Sequence, residues 1–207
     1  MFTGIITEIG EVKKMRLTSG GARLEISSDR LSEGLALGDS VSVNGVCLSA
    51  VGIGKALSFD VVKNTLSRTG LKRLRPGDKV NLEGPLKMGD NISGHIVTGH
   101  IDGERKIRKN SLMSKGWEMD IALAEGDTRY AIPRGSIAID GVSLTIAECL
   151  KGSLSVYIIP VTLSGTILKL KKKGDYVNVE FDMAAKISGK TAGSGISEEM
   201  LRKTGFM

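Results

Sequence analysis

Residues 40–49 read SVSVNGVCLS, and residues 136–145 read SIAIDGVSLT. In both stretches Val or Ile alternates with a small residue, the period of two expected of a strand with one buried face. The phase flips at Asn44-Gly45 and again at Asp140-Gly141, pairs that tolerate the positive φ of a two-residue hairpin. Folded as a hairpin, the first stretch sets Ser40 opposite Ser49 and Ser42 opposite Cys47, while Val41/Leu48 and Val43/Val46 share the other side. The aliphatic side should fill an interior. Ser40, Ser42, Cys47 and Ser49, with Ser136, Ser143 and Thr145 in the second copy, should point outward to a ligand or to solvent.

The likeness spreads from these ribbons in both directions. TLSRTGLK at 65–72 returns as TLSGTILK at 162–169, GDKVNLE at 77–83 returns as GDYVNVE at 174–180, and FTGII at 2–6 is echoed by VTGHI at 97–101. A near-constant shift of almost half the length means a duplicated domain, because solenoid units run about 20–50 residues. The 27 glycines punctuate short β-rich runs and helical periodicity is scarce. Each half is therefore expected to be a small antiparallel, Greek-key-like barrel, mainly β, closed so that no sheet edge is exposed.

The expected layout is one barrel over 1–94, a second over 95–185 and a tail over 186–207. A short helical or irregular segment is expected after Leu66 and after Leu163, closed in the first copy by the turn Arg75-Pro76-Gly77-Asp78. In the tail, Ser188-Gly189 and Gly193-Ser194-Gly195 have the chemistry of a flexible linker. Ser197 can then cap a short helix with Glu198 and Glu199 in its first turn and Arg202 and Lys203 in its last. So short a helix is marginal alone, so it either docks on a neighbouring subunit or frays.

Composition narrows the function. A chain of 207 residues suits two domains of about 100 residues each. It has no apolar run long enough to cross a bilayer. Thr3, Thr7 and Glu8 interrupt the apolar core that a secretory signal would need, so a cytoplasmic protein is expected. Cys47 and Cys149 form no CxxC motif, which argues against disulfide, zinc and redox-motif chemistry. The net charge of +6 favours anionic ligands. Lys169, Lys171, Lys172 and Lys173, with Arg105, Lys106, Arg108 and Lys109, form basic stretches, but aromatics are only 4% of the chain, so platforms for stacking bases are few. A solvated basic loop is the better reading, and nucleotide-binding glycine loops are absent.

Residues 94–103, GHIVTGHIDG, hold both histidines, His95 and His100, at the seam where the repeat restarts. Five apart, they face opposite ways on a strand and lack the i, i+4 spacing of a helical zinc pair. A lone histidine is more often structural than catalytic, but a place between two equivalent domains favours function. Cys47, ordinarily a small buried hydrophobe, falls with the serines here and becomes a site candidate.

MFTGIITEIG at 1–10, the NGVCLS and DGVSLT pair, GHIVTGHIDG and RGSIAIDGVSLT together closely resemble the α-type riboflavin synthase family, whose members carry two lumazine-binding barrels. The likeness runs from Met1 to about Asp182, and the tail ISEEMLRKTGF is similar as well. The resemblance implies a dismutation in which two molecules of 6,7-dimethyl-8-ribityllumazine exchange a four-carbon unit, giving riboflavin and 5-amino-6-ribitylamino-uracil without a cofactor. It implies a homotrimer, with the reacting site between the N-terminal barrel of one subunit and the C-terminal barrel of the next, and lumazine synthase as a candidate associate.

The resemblance also carries substrate contacts onto Gly4, Ile5, Ile6, Cys47, Leu48, Ser49, Asp60, Val61, Val62, Lys63, Asn64 and Thr65 in the first barrel. In the second it carries them onto Gly99, His100, Ile101, Arg134, Ser143, Leu144, Thr145, Tyr157, Ile158, Ile159, Pro160, Val161 and Thr162. One lumazine must lose a proton from its C7 methyl and the other must accept a nucleophile at C7, so a base and a small nucleophile are needed. On this reading His100 and Ser143 assist proton transfer at the C-terminal barrel. Ser40 and Cys47 position or activate the substrate on the N-terminal barrel, with His95 and Asp182 in support. His100, standing where the first copy has Ile5, is the sequence's candidate for what makes the halves unequal. Asn64, Ser49, Val161 and Gly165 depart from the family's usual residues. A non-catalytic chromophore binder and a single-strand nucleic-acid binder are the rival readings.

Overall fold

The computed structural model describes residues 1–113, 116–191 and 202. The first half forms β1 (Glu8–Thr18), β2 (Gly21–Ser27), β3 (Ser40–Val43), β4 (Val46–Gly52), β5 (Leu57–Val62) and β6 (Lys79–Glu83). They close into an antiparallel barrel in the order β1-β2-β5-β4-β3-β6. The second half repeats this with β7 (Gly103–Met113), β8 (Gly116–Ala122), β9 (Ser136–Ile139), β10 (Val142–Leu150), β11 (Ser153–Ile158) and β12 (Tyr176–Phe181). Its ring, β7-β8-β11-β10-β9-β12, has the same topology. In each barrel three strands run as a meander and the preceding strand lies beside the last of them, the Greek-key arrangement.

The ribbon that organises the sequence has the register its alternation predicts, with Ser40, Val41, Ser42 and Val43 opposite Ser49, Leu48, Cys47 and Val46. Asn44 and Asp140 take φ of 47° and 45°, and the glycine after each takes 81°, so the turns are of the I′ kind that suits strand twist. Val41, Val43, Val46 and Leu48 are buried with Leu24, Ile26 and Phe59 in one core, and Ile121, Ile139, Val156 and Phe181 centre the other. Each such side chain contributes about 1.5–3 kcal/mol by leaving water.

Helices α1 (Lys63–Arg68) and α2 (Pro160–Ser164) are each followed by a 3₁₀ turn, Gly70–Arg73 and Ile167–Leu170. These segments start a few residues before Leu66 and Leu163, earlier than the sequence places them. In α2 Pro160 occupies the first turn, where a missing N–H costs nothing. Leu66 and Leu71 plug the first barrel, and Leu163 and Leu168 the second.

Two expectations are corrected here. Ser42 points out of its own barrel but reaches neither ligand nor solvent, being 1% exposed, because Gly141 of the second barrel packs over it. Ser188-Gly189, read as linker, lies within α3 (Met183–Thr191), which crosses the point at 186 where the tail was placed. Asp182 accepts a hydrogen bond from Ala184 N at 3.0 Å and stabilises the start of that helix. The glycines at 193 and 195 and the helix expected from Ser197 lie outside the described residues, apart from Arg202.

The barrels meet across an approximate two-fold axis. Phe2 and Val97 exchange backbone hydrogen bonds of 2.8 and 3.0 Å. Asn81 donates to Asp140 O at 2.9 Å and accepts from Ile167 N at 2.8 Å, and Asn178 does the same to Asn44 O and from Gly70 N at 2.8 and 2.7 Å. Buried and satisfied on both sides, these amides fix one register between the barrels. Charge adds contacts without that symmetry. Lys72 and Arg73 of the first barrel pair with Glu104 of the second, and within the second barrel Lys171 pairs with Asp140 at 2.9 Å. Arg105 and Lys109 are likewise paired, with Asp127 and Glu118, so the basic stretches present less free charge than the sequence suggests.

Candidate functional site

The site begins with two short segments that trade places. Gly4 and Gly99 both have positive φ, 77° and 84°. Gly4 O accepts from Ser143 N at 2.8 Å, and Gly99 O accepts from Cys47 N at 3.0 Å. A Cβ on either glycine would come within 2.8 Å of the facing backbone nitrogen, a separation real Cβ atoms do not show, so only glycine fits. Beyond them, Ile6 packs on the second core and Ile101 on the first. Residues 4–6 therefore serve the second barrel and residues 99–101 the first, the reverse of the barrels to which the resemblance assigns them.

Two grooves result. The first is lined by Val46, Cys47, Asn64, Thr65, Arg68, Thr69, Gly99, His100 and Ile101. The second is lined by Ile5, Ser93, Gly94, Ser136, Ser143, Leu144, Thr145, Tyr157, Ile159 and Thr162. Within one chain the crossing delivers His100 to the groove of Cys47, apart from Ser143. Ser143 instead meets His95, whose Nδ1 lies 2.7 Å from Ser143 Oγ. His95 is buried and held by its own backbone, which donates to Thr3 O at 3.1 Å. Burial holds its pKa below the ordinary histidine value, against the opposing pull of the Asp182 and Glu180 carboxylates. A neutral imidazole beside a hydroxyl is the arrangement of a base and the group it activates. Among the described residues, His95 Nε2 has no hydrogen-bond partner.

Strand alternation sorts the remaining candidates. Asp60, Val62, Tyr157 and Ile159 face outward, whereas Leu48, Val61, Leu144 and Ile158 are 5%, 2%, 9% and 1% exposed and belong largely to the cores. Most of each buried side chain is thus committed to packing. Asp60 pairs with Arg23 at 2.8 Å. Lys63, Pro160 and Val161 are exposed in the first turns of α1 and α2. Ser40 and Ser49 pair on the ribbon but line neither groove, unlike Ser136, the counterpart of Ser40. Arg134 is exposed in a loop at φ 67°, its N–H donating to Ile146 O at 2.8 Å, and also lies outside both linings.

Several groups at or behind the grooves escaped sequence reasoning: Arg68, Ser93, and the buried acids Glu83 and Glu180. The acids end the repeated GDxVNxE motif, which was a usable signal read only as strand. Arg68 stood in the TLSxT repeat opposite Gly165, where the difference between copies was visible but not its place in a groove.

Known proteins resemble this chain in sequence and in fold. The lumazine binding domain matches twice, at residues 3–84 and 98–182. Riboflavin synthase of Chlamydia pneumoniae is 40% identical, covering 92% of this chain and 94% of the relative. That of Bacillus subtilis is 37% identical over 90% and 87%, and that of Actinobacillus pleuropneumoniae 36% over the whole of both. Crystal structures of LumP complexed with 6,7-dimethyl-8-(1'-D-ribityl) lumazine and with riboflavin superimpose with TM-scores of 0.79 and 0.80 at 27% and 28% identity. Each covers 87% of this chain and 98% and 99% of the other. Matched by family and by relatives over nearly its whole length, the chain belongs to the riboflavin synthase family, built from two lumazine-binding domains.

Proposed function

We infer that the chain catalyses the formation of riboflavin from two molecules of 6,7-dimethyl-8-ribityllumazine. A four-carbon unit passes from one to the other and 5-amino-6-ribitylamino-uracil is released, which makes the enzyme a transferase. Residues 1–94 and 95–185 act as the two lumazine-binding units of a cytoplasmic homotrimer, with 186–207 as a contact between subunits. One substrate lies on the first groove of one subunit and the other on the second groove of its neighbour. Holding the two molecules together supplies much of the rate by removing the entropy cost of encounter.

The observation that carries this reading is the unequal chemistry of two otherwise equivalent grooves. In the second, His95 lies within hydrogen-bonding distance of Ser143 and is kept neutral by burial. That pair, acting directly or through a held water, supplies the nucleophile that adds at C7 of the lumazine that gives up its four carbons, and His95 takes the proton released. In the first, His100 removes a proton from the C7 methyl of the other lumazine, which keeps its ring and receives the four carbons. Arg68, exposed and with no ion pair among the described residues, favours the resulting anion. Cys47 packs beside that ring. Asp182 acts on His95 through its charge. Ser40 and Arg134, outside both linings of a single chain, would have to act across the subunit contact.

The test is incubation of the pure protein with ribityllumazine alone. Riboflavin absorbance should rise, with one riboflavin for every two lumazines consumed. A saturable fluorescence change without product would instead select a chromophore carrier. Proton exchange at the C7 methyl, followed by NMR in D₂O, should be catalysed by the protein and lost in His100→Ala but kept in Ser143→Ala.

A further inference from the structure

We propose that Glu180 and Glu83 are positioning residues for the reaction, each clamping the segment that its own barrel lends to the other. This rests on the reading of the two grooves as substrate sites. Glu83 ends β6 and Glu180 lies near the end of β12, and they are 4% and 2% exposed. A carboxylate so placed is costly unless its oxygens are satisfied, and both are satisfied by the crossing segments. Glu83 Oε1 accepts from Thr3 N at 2.6 Å and from Thr3 Oγ1 at 2.8 Å, and Oε2 accepts from Gly4 N at 3.1 Å. Glu180 Oε1 accepts from Thr98 N and Thr98 Oγ1, both at 2.7 Å, and Oε2 accepts from Gly99 N at 2.9 Å.

The same glycines use their carbonyls to accept from Ser143 N and Cys47 N of the opposite barrel. Each Thr-Gly turn is therefore held from both sides, by an acid of its own barrel and by the strand it serves. The clamp is nearly the same in both copies, but it delivers unlike residues. Behind Glu83 stands Ile5, which enters the second groove, and behind Glu180 stands His100, which enters the first. The Glu180 clamp also reaches the histidine directly, because Thr98 Oγ1 accepts from His100 N at 3.3 Å. Glu180 thus sets where His100 stands, without itself touching substrate.

The test is a double-mutant cycle in the full-length protein, reading kcat, KM and thermal stability together. Glu180→Gln removes an acceptor facing Gly99 and should lower kcat about tenfold, as loss of a charge-assisted hydrogen bond would, with KM little changed. In a His100→Ala background it should cost nothing further. Glu83→Gln should cost the same factor in either background. A wild-type rate for Glu180→Gln, or an undiminished cost in the His100→Ala background, overturns the proposal. Should Glu180→Gln fail to fold, Thr98→Val removes the hydroxyl alone and must show the same dependence on His100. If the wild-type protein makes no riboflavin, the functional reading fails, and the clamp is then read in the same cycle from the fluorescence of bound ribityllumazine.

Discussion

The two grooves are built on one plan and equipped differently. Cys47 and Ser143 occupy equivalent places on β4 and β10, and each donates its backbone N–H to the carbonyl of a crossing glycine. Ser143, however, has a buried histidine 2.7 Å from its hydroxyl, whereas Cys47 faces an exposed one across the groove. The reason lies in the joint. His95 lies at that joint, between the two lumazine-binding domains matched at 3–84 and 98–182. A duplicated protein meeting two identical substrates with unlike fates therefore draws part of its asymmetry from the linker.

The largest effects should come from the glycines that make both grooves possible. Gly99→Ala places a methyl against the backbone of Cys47 at positive φ and should damage the first groove, and Gly4→Ala should do the same to the second at Ser143. Each should cost about 2 kcal/mol or more of stability and abolish riboflavin formation. Denaturant unfolding and product absorbance check both. An active, wild-type-stable Gly99→Ala would break the comparison at its root.

Next in size is His95→Gln, which keeps a polar side chain beside Ser143 but cannot take a proton. Its kcat should fall about 100-fold or more, the ordinary contribution of a positioned base, in single-turnover riboflavin formation. Cys47→Ser should fall far less, since no base is bonded to that position. Equal losses would mean that the two grooves share the work evenly.

A third test uses pH. Burial lowers the pKa of His95 below 6.5, so the folded state favours its neutral form. The stability this contributes is present above 6.5 and is lost as pH falls through the lower folded value. Wild type should lose more of its thermal stability than His95→Gln over that interval. Glu83 shifts the other way, raised chiefly by burial against the hydrogen bonds from Thr3, Gly4 and Ile5. Its contribution is present below 4.5 and fades as pH rises through its folded pKa, so only the difference between wild type and His95→Gln isolates the histidine.

What the sequence could show follows from what periodicity encodes. The ribbon register was legible in full, because alternation and the Asn-Gly and Asp-Gly pairs specify a hairpin locally. Alternation distinguishes only the inside of a barrel from its outside, so Ser42 read as exposed although a second barrel covers it. The crossing was not legible either. FTGII and VTGHI align as repeats whichever barrel they rest on. Sequence alone therefore does not show that Ser143 has His95 as its neighbour within the chain. Glu83 and Glu180 were visible as repeated letters, but a carboxylate at a strand end reads as solvated until a buried Thr-Gly turn is seen beside it.

The smallest expected effect sharpens the comparison most, because it concerns charge alone. Arg68 lines the first groove, whereas among the described residues no Lys or Arg lines the second, where the counterpart of Arg68 is Gly165. An exposed guanidinium is screened by water and salt, so Arg68→Ala should slow riboflavin formation only about threefold at low ionic strength, with unchanged thermal stability. The deficit should shrink as salt is added, since wild type then loses the same advantage. It should also appear in the rate of C7-methyl exchange, the step that makes an anion, and not in the affinity for neutral ribityllumazine. Gly165→Arg makes the complementary change, placing the charge by the second groove, where the lumazine attacked at C7 gains nothing from anion stabilisation. If Gly165→Arg accelerates methyl exchange while Arg68→Ala leaves it untouched, the donor and acceptor grooves have been assigned the wrong way round.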